Sequence, residues 1–192
     1  MKTLLLIDGQ NFKNKIKQVF EENGKKRPMW HEYNFKGLLN TVLKDIKIEK
    51  SIFYFARVSE NKETFDKSRQ LIEEQRLLKT HLEKQGFEVV LSGRIRGHLE
   101  DSFLRKKVLI FKEKGVDVKI AVDMVSWACD KVAKTFIVGS SDSDLQPAIA
   151  EAKKRKAQCI YLGFEAQPNR GLSYTTNRTI LIRNSEVLGF EK

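Results

Sequence analysis

Asp8 closes the apolar run Leu4-Leu5-Leu6-Ile7, and Asp142 and Asp144 follow a second run, Thr135 to Val138, within Gly139-Ser140-Ser141-Asp142-Ser143-Asp144. Runs of this kind read as buried strands, and an open parallel sheet binds its ligands beyond the carboxyl ends of its strands. If the two strands are neighbours, their carboxylates converge. Asp117 follows the Lys114-Gly115-Val116 turn at the start of a helix, from which its side chain can point back into the same crevice. Clustered carboxylates repel and raise one another's pKa unless a cation neutralises them, and oxygen ligands with little His or Cys select Mg2+ or Mn2+. Such an ion polarises a phosphodiester, activates water and stabilises the leaving oxygen, so hydrolysis needs no covalent protein nucleophile. Asp8, Asp117, Asp142 and Asp144 are the candidate ligands. Asp123, well away from the apolar stripe expected for its helix, is placed outside them in a supporting role.

Each aspartate also has an ordinary use: Asp8 as a turn residue before Gly9, Asp117 and Asp144 as helix caps, Asp142 as a polar loop residue. Together they put four carboxylates on one rim of one sheet, a poor arrangement for stability, and the joint pattern favours function. His31, His81 and His98 have no spacing that suggests a catalytic pair.

The elements that must position these residues alternate along the chain. Short runs rich in β-branched and aromatic residues are Thr3 to Ile7, Ser51 to Val58, Phe87 to Leu91, Thr135 to Val138 and Cys159 to Leu162, with Thr179 to Ile182 as an edge strand. Between them lie segments of helical period: a lysine-rich one to about Glu22, one capped by Asn34, one from Asn61 to Gln85, one from Asp117 and one around Leu145 to Ala152. The helix from Asp117 is expected to bury Val118, Ala121, Val122, Val125 and Cys129. The rhythm predicts a Rossmann-like, three-layer α/β/α fold with a mainly parallel sheet, residues 1–192 forming one domain. Arg94 to Gly115 fits it least and reads as a basic, partly irregular excursion, with Val108 to Phe111 as a short strand.

The 192 residues carry 36 Lys and Arg against 25 Asp and Glu, a net charge of +11 that points to a polyanionic partner, nucleic acid first. Arg94, Arg96, Arg105, Lys106, Lys107 and Lys114 are the candidate phosphate contacts, since folding does not require them in an irregular segment. Lys13, Lys15 and Lys17 follow Asp8 where a substrate backbone could pass, and Trp30 and Tyr33, in an early loop, are free to stack on a base. Cys129 and Cys159 read as two small core residues in a reducing compartment, so the chain is expected to be cytoplasmic. The first apolar run stops at Asp8, too early for a signal peptide, and no stretch approaches a membrane span. A homo-oligomer is compatible with the sequence but not indicated by it.

The set Leu6-Ile7-Asp8-Gly9-Gln10-Asn11, then Lys114-Gly115-Val116-Asp117-Val118 through Asp123, then Val138-Gly139-Ser140-Ser141-Asp142-Ser143-Asp144, resembles the NYN domain family of PIN-like ribonucleases, including its LabA-like group. The similarity runs in order from residue 4 to about residue 183. It implies a PIN-like fold and a Mg2+ or Mn2+ site at Asp8, Asp117, Asp142 and Asp144, with Asn11 beside it and Asn11 or Ser140 orienting the carboxylates. Asp8 and Asp142 would be the principal ligands. The implied activity is cleavage of RNA leaving 5′-phosphate and 3′-hydroxyl ends; endonucleolytic action is expected before exonucleolytic, and single-stranded RNA before duplex, with both alternatives open. Two positions depart from the family pattern: Ser141 stands where glycine is usual and Leu145 where an aromatic residue is common, and neither removes a carboxylate.

Two other function classes compete with a metal-dependent ribonuclease. A non-catalytic nucleic-acid-binding module would keep the fold and charge but has no use for the carboxylates. A different Mg2+-dependent phosphoryl hydrolase, acting through an aspartyl nucleophile, expects an Asp-x-Asp pair after the first strand, where this chain has Asp8-Gly9-Gln10.

Overall fold

The computed structural model describes residues 2–59, 65–101 and 107–191, with the backbone alone for residues 96–101 and 107–113. Its strands are β1 (Thr3–Asp8), β2 (Lys50–Arg57), β3 (Glu88–Asp101), β4 (Lys107–Lys114), β5 (Thr135–Gly139), β6 (Gln158–Phe164) and β7 (Arg178–Ile182). The helices are α1 (Gly9–Glu22), α2 (Phe35–Val42), α3 (Phe65–Lys84), α4 (Val116–Cys129), α5 (Gln146–Lys154), α6 (Arg170–Thr175) and α7 (Asn184–Leu188). The expected helix start at Asn61 lies outside the described residues.

Among the described residues one sheet contains the seven strands in the order β4-β3-β2-β1-β5-β6-β7, and every neighbouring pair is parallel except β3 with β4. The chain lays β1 down first and builds outward to β4, then crosses back through α4 to β5 on the other side of β1. Strand order therefore reverses between β1 and β5, which opens a crevice at their carboxyl ends. Alternation along the strands feeds two cores. Leu5 and Ile7 join Phe53 and Phe55 beneath α1, α2, α3 and α7, whereas Leu4 and Leu6 join Ile52 and Tyr54 beneath α4, α5 and α6. No helix among the described residues is long and apolar enough to cross a membrane.

Four sequence expectations are corrected. The basic segment after Arg94 is an antiparallel hairpin, pairing Arg94 with Lys114 and continuing to Asp101 with Lys107. Helix α4 buries Val116, Ile120, Met124 and Ala128, leaving Val118 and Val122 more than half exposed and Cys129 at the surface. Its sequence is apolar on nearly every side, so two stripes fit the period, and the sheet takes the one with the bulkier Ile120 and Met124. Tyr33 is in the core, its hydroxyl donating to the Val187 carbonyl oxygen at 2.7 Å, and Trp30 packs against the same core beneath the Lys13 ammonium. Lys15 and Lys17 are engaged by Gln167 and Glu21.

Candidate metal centre at the carboxyl ends of the strands

β1 delivers Asp8 to the crevice on the α4 side, because Leu4, Leu6 and Asp8 alternate onto that face. Asp8 then caps α1, accepting from the Asn11 backbone N–H at 3.0 Å. Glycine at position 9 lets the Phe55 ring lie against the start of α1, since a Cβ there would collide with the edge of that ring. Burial holds the Asp8 carboxyl above the usual aspartate range, against the lowering effect of the Asn11 N–H, and repulsion from Asp142 and Asp117 adds to the rise.

β5 delivers the second group. Ile7 pairs with Gly139, which sets Ser140 beside Asp8 and sends the next turn over the crevice. Buried Ser140 accepts through Oγ from the Asp142 N–H at 3.1 Å, and Asp142 accepts from the Asp144 N–H at 2.9 Å. Asn11 reaches across from α1, and its side-chain oxygen accepts from both the N–H and the Oγ of Ser141, at 3.0 and 2.8 Å. Ser141 has no positive φ, so this turn does not need a glycine, and its hydroxyl supplies a bond glycine could not make.

Helix α4 delivers the third. Gly115, in the left-handed region, turns the chain from β4 into α4 and places Asp117 in the first turn. Asp117, Asp142 and Asp144 can each offer a carboxylate oxygen such that the three lie within 4.8 Å of one another. Asp8 does not join that triad but lines the same cleft as Asp117 and Asp142. Three converging hard oxygens fit a small divalent cation.

The cleft has a volume of about 780 Å³. Lys114 stands on its wall, as does Lys67 of α3, which sequence reasoning missed, while Ile95 and Leu71 supply apolar surface. Arg94 is exposed and pairs in register with Lys114, whereas Arg105 and Lys106 lie outside the described residues. Register also sets Arg96 against Lys112 and Lys107 against Asp101. Asp123 stands apart from the triad: it accepts from the Tyr54 hydroxyl at 3.1 Å and from Lys119 at 2.6 Å, latching α4 to β2.

Asn169 was also missed. It caps α6, accepting from the Leu172 N–H, while its amide donates to the Ser141 carbonyl oxygen at 2.9 Å. The Tyr161 hydroxyl accepts from the Asn169 N–H at 3.0 Å. The dipeptide Pro168-Asn169 signals a helix start, but no spacing links it to Ser141, since that contact follows from the pairing of β5 with β6.

The family model of the NYN domain matches residues 2–182. Among curated proteins, none matches the chain. A crystal structure of a protein of unknown function from Vibrio parahaemolyticus is similar, with a TM-score of 0.62 at 18% identity, covering 94% of this chain and 92% of that one. At that identity the likeness bears on the fold alone.

Proposed function

From the premise that the chain belongs to the NYN domain family over nearly its whole length, we propose that it is a metal-dependent ribonuclease, residues 1–192 acting as one nuclease domain. The observation that carries this reading is the convergence of Asp117, Asp142 and Asp144 within 4.8 Å at the switch point of the sheet, where Asp117 and Asp142 line a cleft that Lys67 and Lys114 also line. Asp117, Asp142 and Asp144 would hold Mg2+ or Mn2+, and Asp8 would complete the cluster from β1. The ion, when bound, supplies charge neutralisation at the phosphoryl oxygens and an acidified water.

The protein's own residues prepare that chemistry. Asn11 and Ser140 fix the turn that carries Asp142 and Asp144, so the carboxylates need little reorganisation as substrate arrives. Lys114 and Lys67 give the cleft wall positive charge where a phosphodiester would enter. The hairpin extends this: Arg94 and Lys114, both exposed, are paired in register, and like charges at such a pair cost stability unless an anion lies across them. Arg94 and Lys114 begin the proposed path for single-stranded RNA in the cytoplasm, and the other basic candidates of this segment, Arg96, Arg105, Lys106 and Lys107, are proposed to belong to it.

Labelled single-stranded RNA incubated with Mn2+, Mg2+ or EDTA, beside an identically purified Asp142→Asn variant, tests the reading. Metal-dependent cleavage lost by at least a hundredfold in the variant is the expected result. RNA binding without cleavage would replace it with the binding module, and neither binding nor cleavage would direct the search to phosphate monoesters.

A further inference from the structure

At the opposite end of the sheet from the carboxylates lies a second pocket, of about 280 Å³, where β1, β5 and β6 begin. The length of β1 puts it roughly 20 Å from Asp8. Its rim carries Lys2, Lys131, Lys134, Arg155 and Lys156, with no carboxylate among the lining residues, and buried Ala128, Ala133 and Ala157 form its floor beside the exposed Val132. Arg155 is paired with Glu151, but Lys2, Lys131, Lys134 and Lys156 have no acidic partner among the described residues.

Cations at helix ends are ordinary, because they complement the helix dipole. Two features go beyond that. Lys2 and Lys134 belong to the strand side of the pocket, where no helix dipole calls for them. Lys131 and Lys156 are the non-glycine residues with positive φ among the described residues, 56° and 66°, each in the turn that closes a helix. Glycine or asparagine fills such a position at less cost, so backbone preference does not account for lysine at either one.

The rim is also fixed. Lys134 N–H donates to the Lys2 carbonyl oxygen at 3.0 Å, Gln158 N–H donates to the Lys134 carbonyl oxygen at 2.7 Å, and the turns at Lys131 and Lys156 close through Val132 to Trp127 and Ala157 to Ala152. Four uncompensated ammonium groups are thereby carried on tied backbone, around a floor with no aromatic ring on which a base could stack. Phosphate, not a base, is the group this chemistry recognises.

We infer that this pocket is a second phosphate-binding site, which takes backbone phosphates of the RNA chain at a distance from the bond being cut. The inference rests on the ribonuclease reading only for the source of the phosphate. A chain bridging both ends of the sheet gains affinity from the second contact, whereas a tetranucleotide in the carboxylate cleft is too short to touch the pocket.

The test is a Lys131→Asn/Lys134→Gln/Lys156→Asn variant, which keeps residues suited to the two left-handed positions. It is compared with Lys26→Gln/Lys44→Gln/Lys84→Gln, which lowers net charge equally at exposed lysines elsewhere. Binding of a labelled single-stranded RNA of about thirty nucleotides is followed in EDTA across salt concentrations, at about 0.7 of log-log slope per phosphate contact. The pocket variant should bind at least fivefold more weakly than the control variant, with a slope shallower by about 2. Cleavage of a tetranucleotide, where the wild type cuts it, should be unchanged. Equal affinities and slopes for the two variants overturn the inference, whether or not the protein cuts RNA. If the wild type binds no RNA, the substrate proposed above is wrong, and inorganic tripolyphosphate decides the pocket. Thermal stabilisation of the wild type that the pocket variant loses would keep the site for a small phosphorylated ligand, and no stabilisation would overturn it.

Discussion

Asp8 is a residue whose charge works against the fold that holds it. Burial, followed by repulsion from Asp142 and Asp117, keeps its proton on to higher pH than in an unfolded chain, despite the Asn11 N–H. Between the ordinary aspartate value and the raised one, the folded state binds more protons, so stability falls as pH rises through that window and stays lowered above it. Asn at this position removes the penalty while keeping an oxygen for the Asn11 N–H. In EDTA, Asp8→Asn should therefore melt above the wild type by on the order of 2–4 °C at neutral pH, the two curves meeting as pH falls through the aspartate range. Differential scanning calorimetry across pH reads both effects, and an equal or lower neutral melting temperature would show that the cleft does not strain this carboxyl. The same variant should lose RNA cleavage, and a gain in stability coupled to a loss of activity is the behaviour of a group retained for function. Asn11 plays a different part, because its side-chain oxygen holds Ser141, and with it the turn that carries Asp142, through two hydrogen bonds.

At the scale of elements, the junction between the β3–β4 hairpin and α4 decides where Lys114 and Asp117 stand. Gly93 has φ of +74° and a Cβ there would collide with the Lys114 carbonyl oxygen, while Gly24 has φ of +69° with nothing within 4 Å. Alanine at either site incurs left-handed strain of about 1–2 kcal/mol, but only Gly93→Ala must also push β4 away. Urea unfolding should place Gly93→Ala about 2–4 kcal/mol below wild type, with kcat/KM reduced tenfold or more, and Gly24→Ala about 1 kcal/mol below with activity intact. Similar losses for the two would mean that the junction does not position the site. The same elements show what the sequence could disclose. Strands β1, β5 and β6 were legible because each is a short apolar run between clear helical periods, and so the carboxylates at the ends of β1 and β5 were legible with them. The face of α4 was legible only in part: Ala121 and Val125 do pack at the margin of the core, but Val118 and Val122 match the helical period as well as Ile120 and Met124 do, and only packing on the sheet chooses. That choice also moved Asp123 from an outlying position to the Tyr54 hydroxyl. The hairpin was obscured by its charge, since lysines and arginines in alternation read as a solvated loop until their register is seen. Tyr33 looked free because local sequence does not reveal that α7, far along the chain, covers it.

Taken as one molecule, the cluster joins parts of the chain that the topology separates: Asp8 from the first strand, Asp117 from the crossover helix, Asp142 and Asp144 from the turn after the first strand on the other side of the sheet. Unfolding disperses them, so a cation that binds the cluster binds the native state and not the unfolded chain. Its free energy then adds to global stability as RT ln(1 + [L]/Kd), about 2.7 kcal/mol at a hundredfold excess over Kd. For a chain of this length that is roughly 5–10 °C in melting temperature. Saturating Mn2+ should produce a rise of that order in the wild type, whereas Asp142→Asn, lacking a member of the triad, should show less than half of it. Ca2+, which takes oxygen ligands without supplying the same Lewis acidity, should stabilise the wild type without supporting cleavage, separating binding from chemistry. A wild type that gains nothing from any divalent cation would leave the raised Asp8 carboxyl and the facing aspartates as an uncompensated charge cluster. That outcome would overturn the metal-site reading.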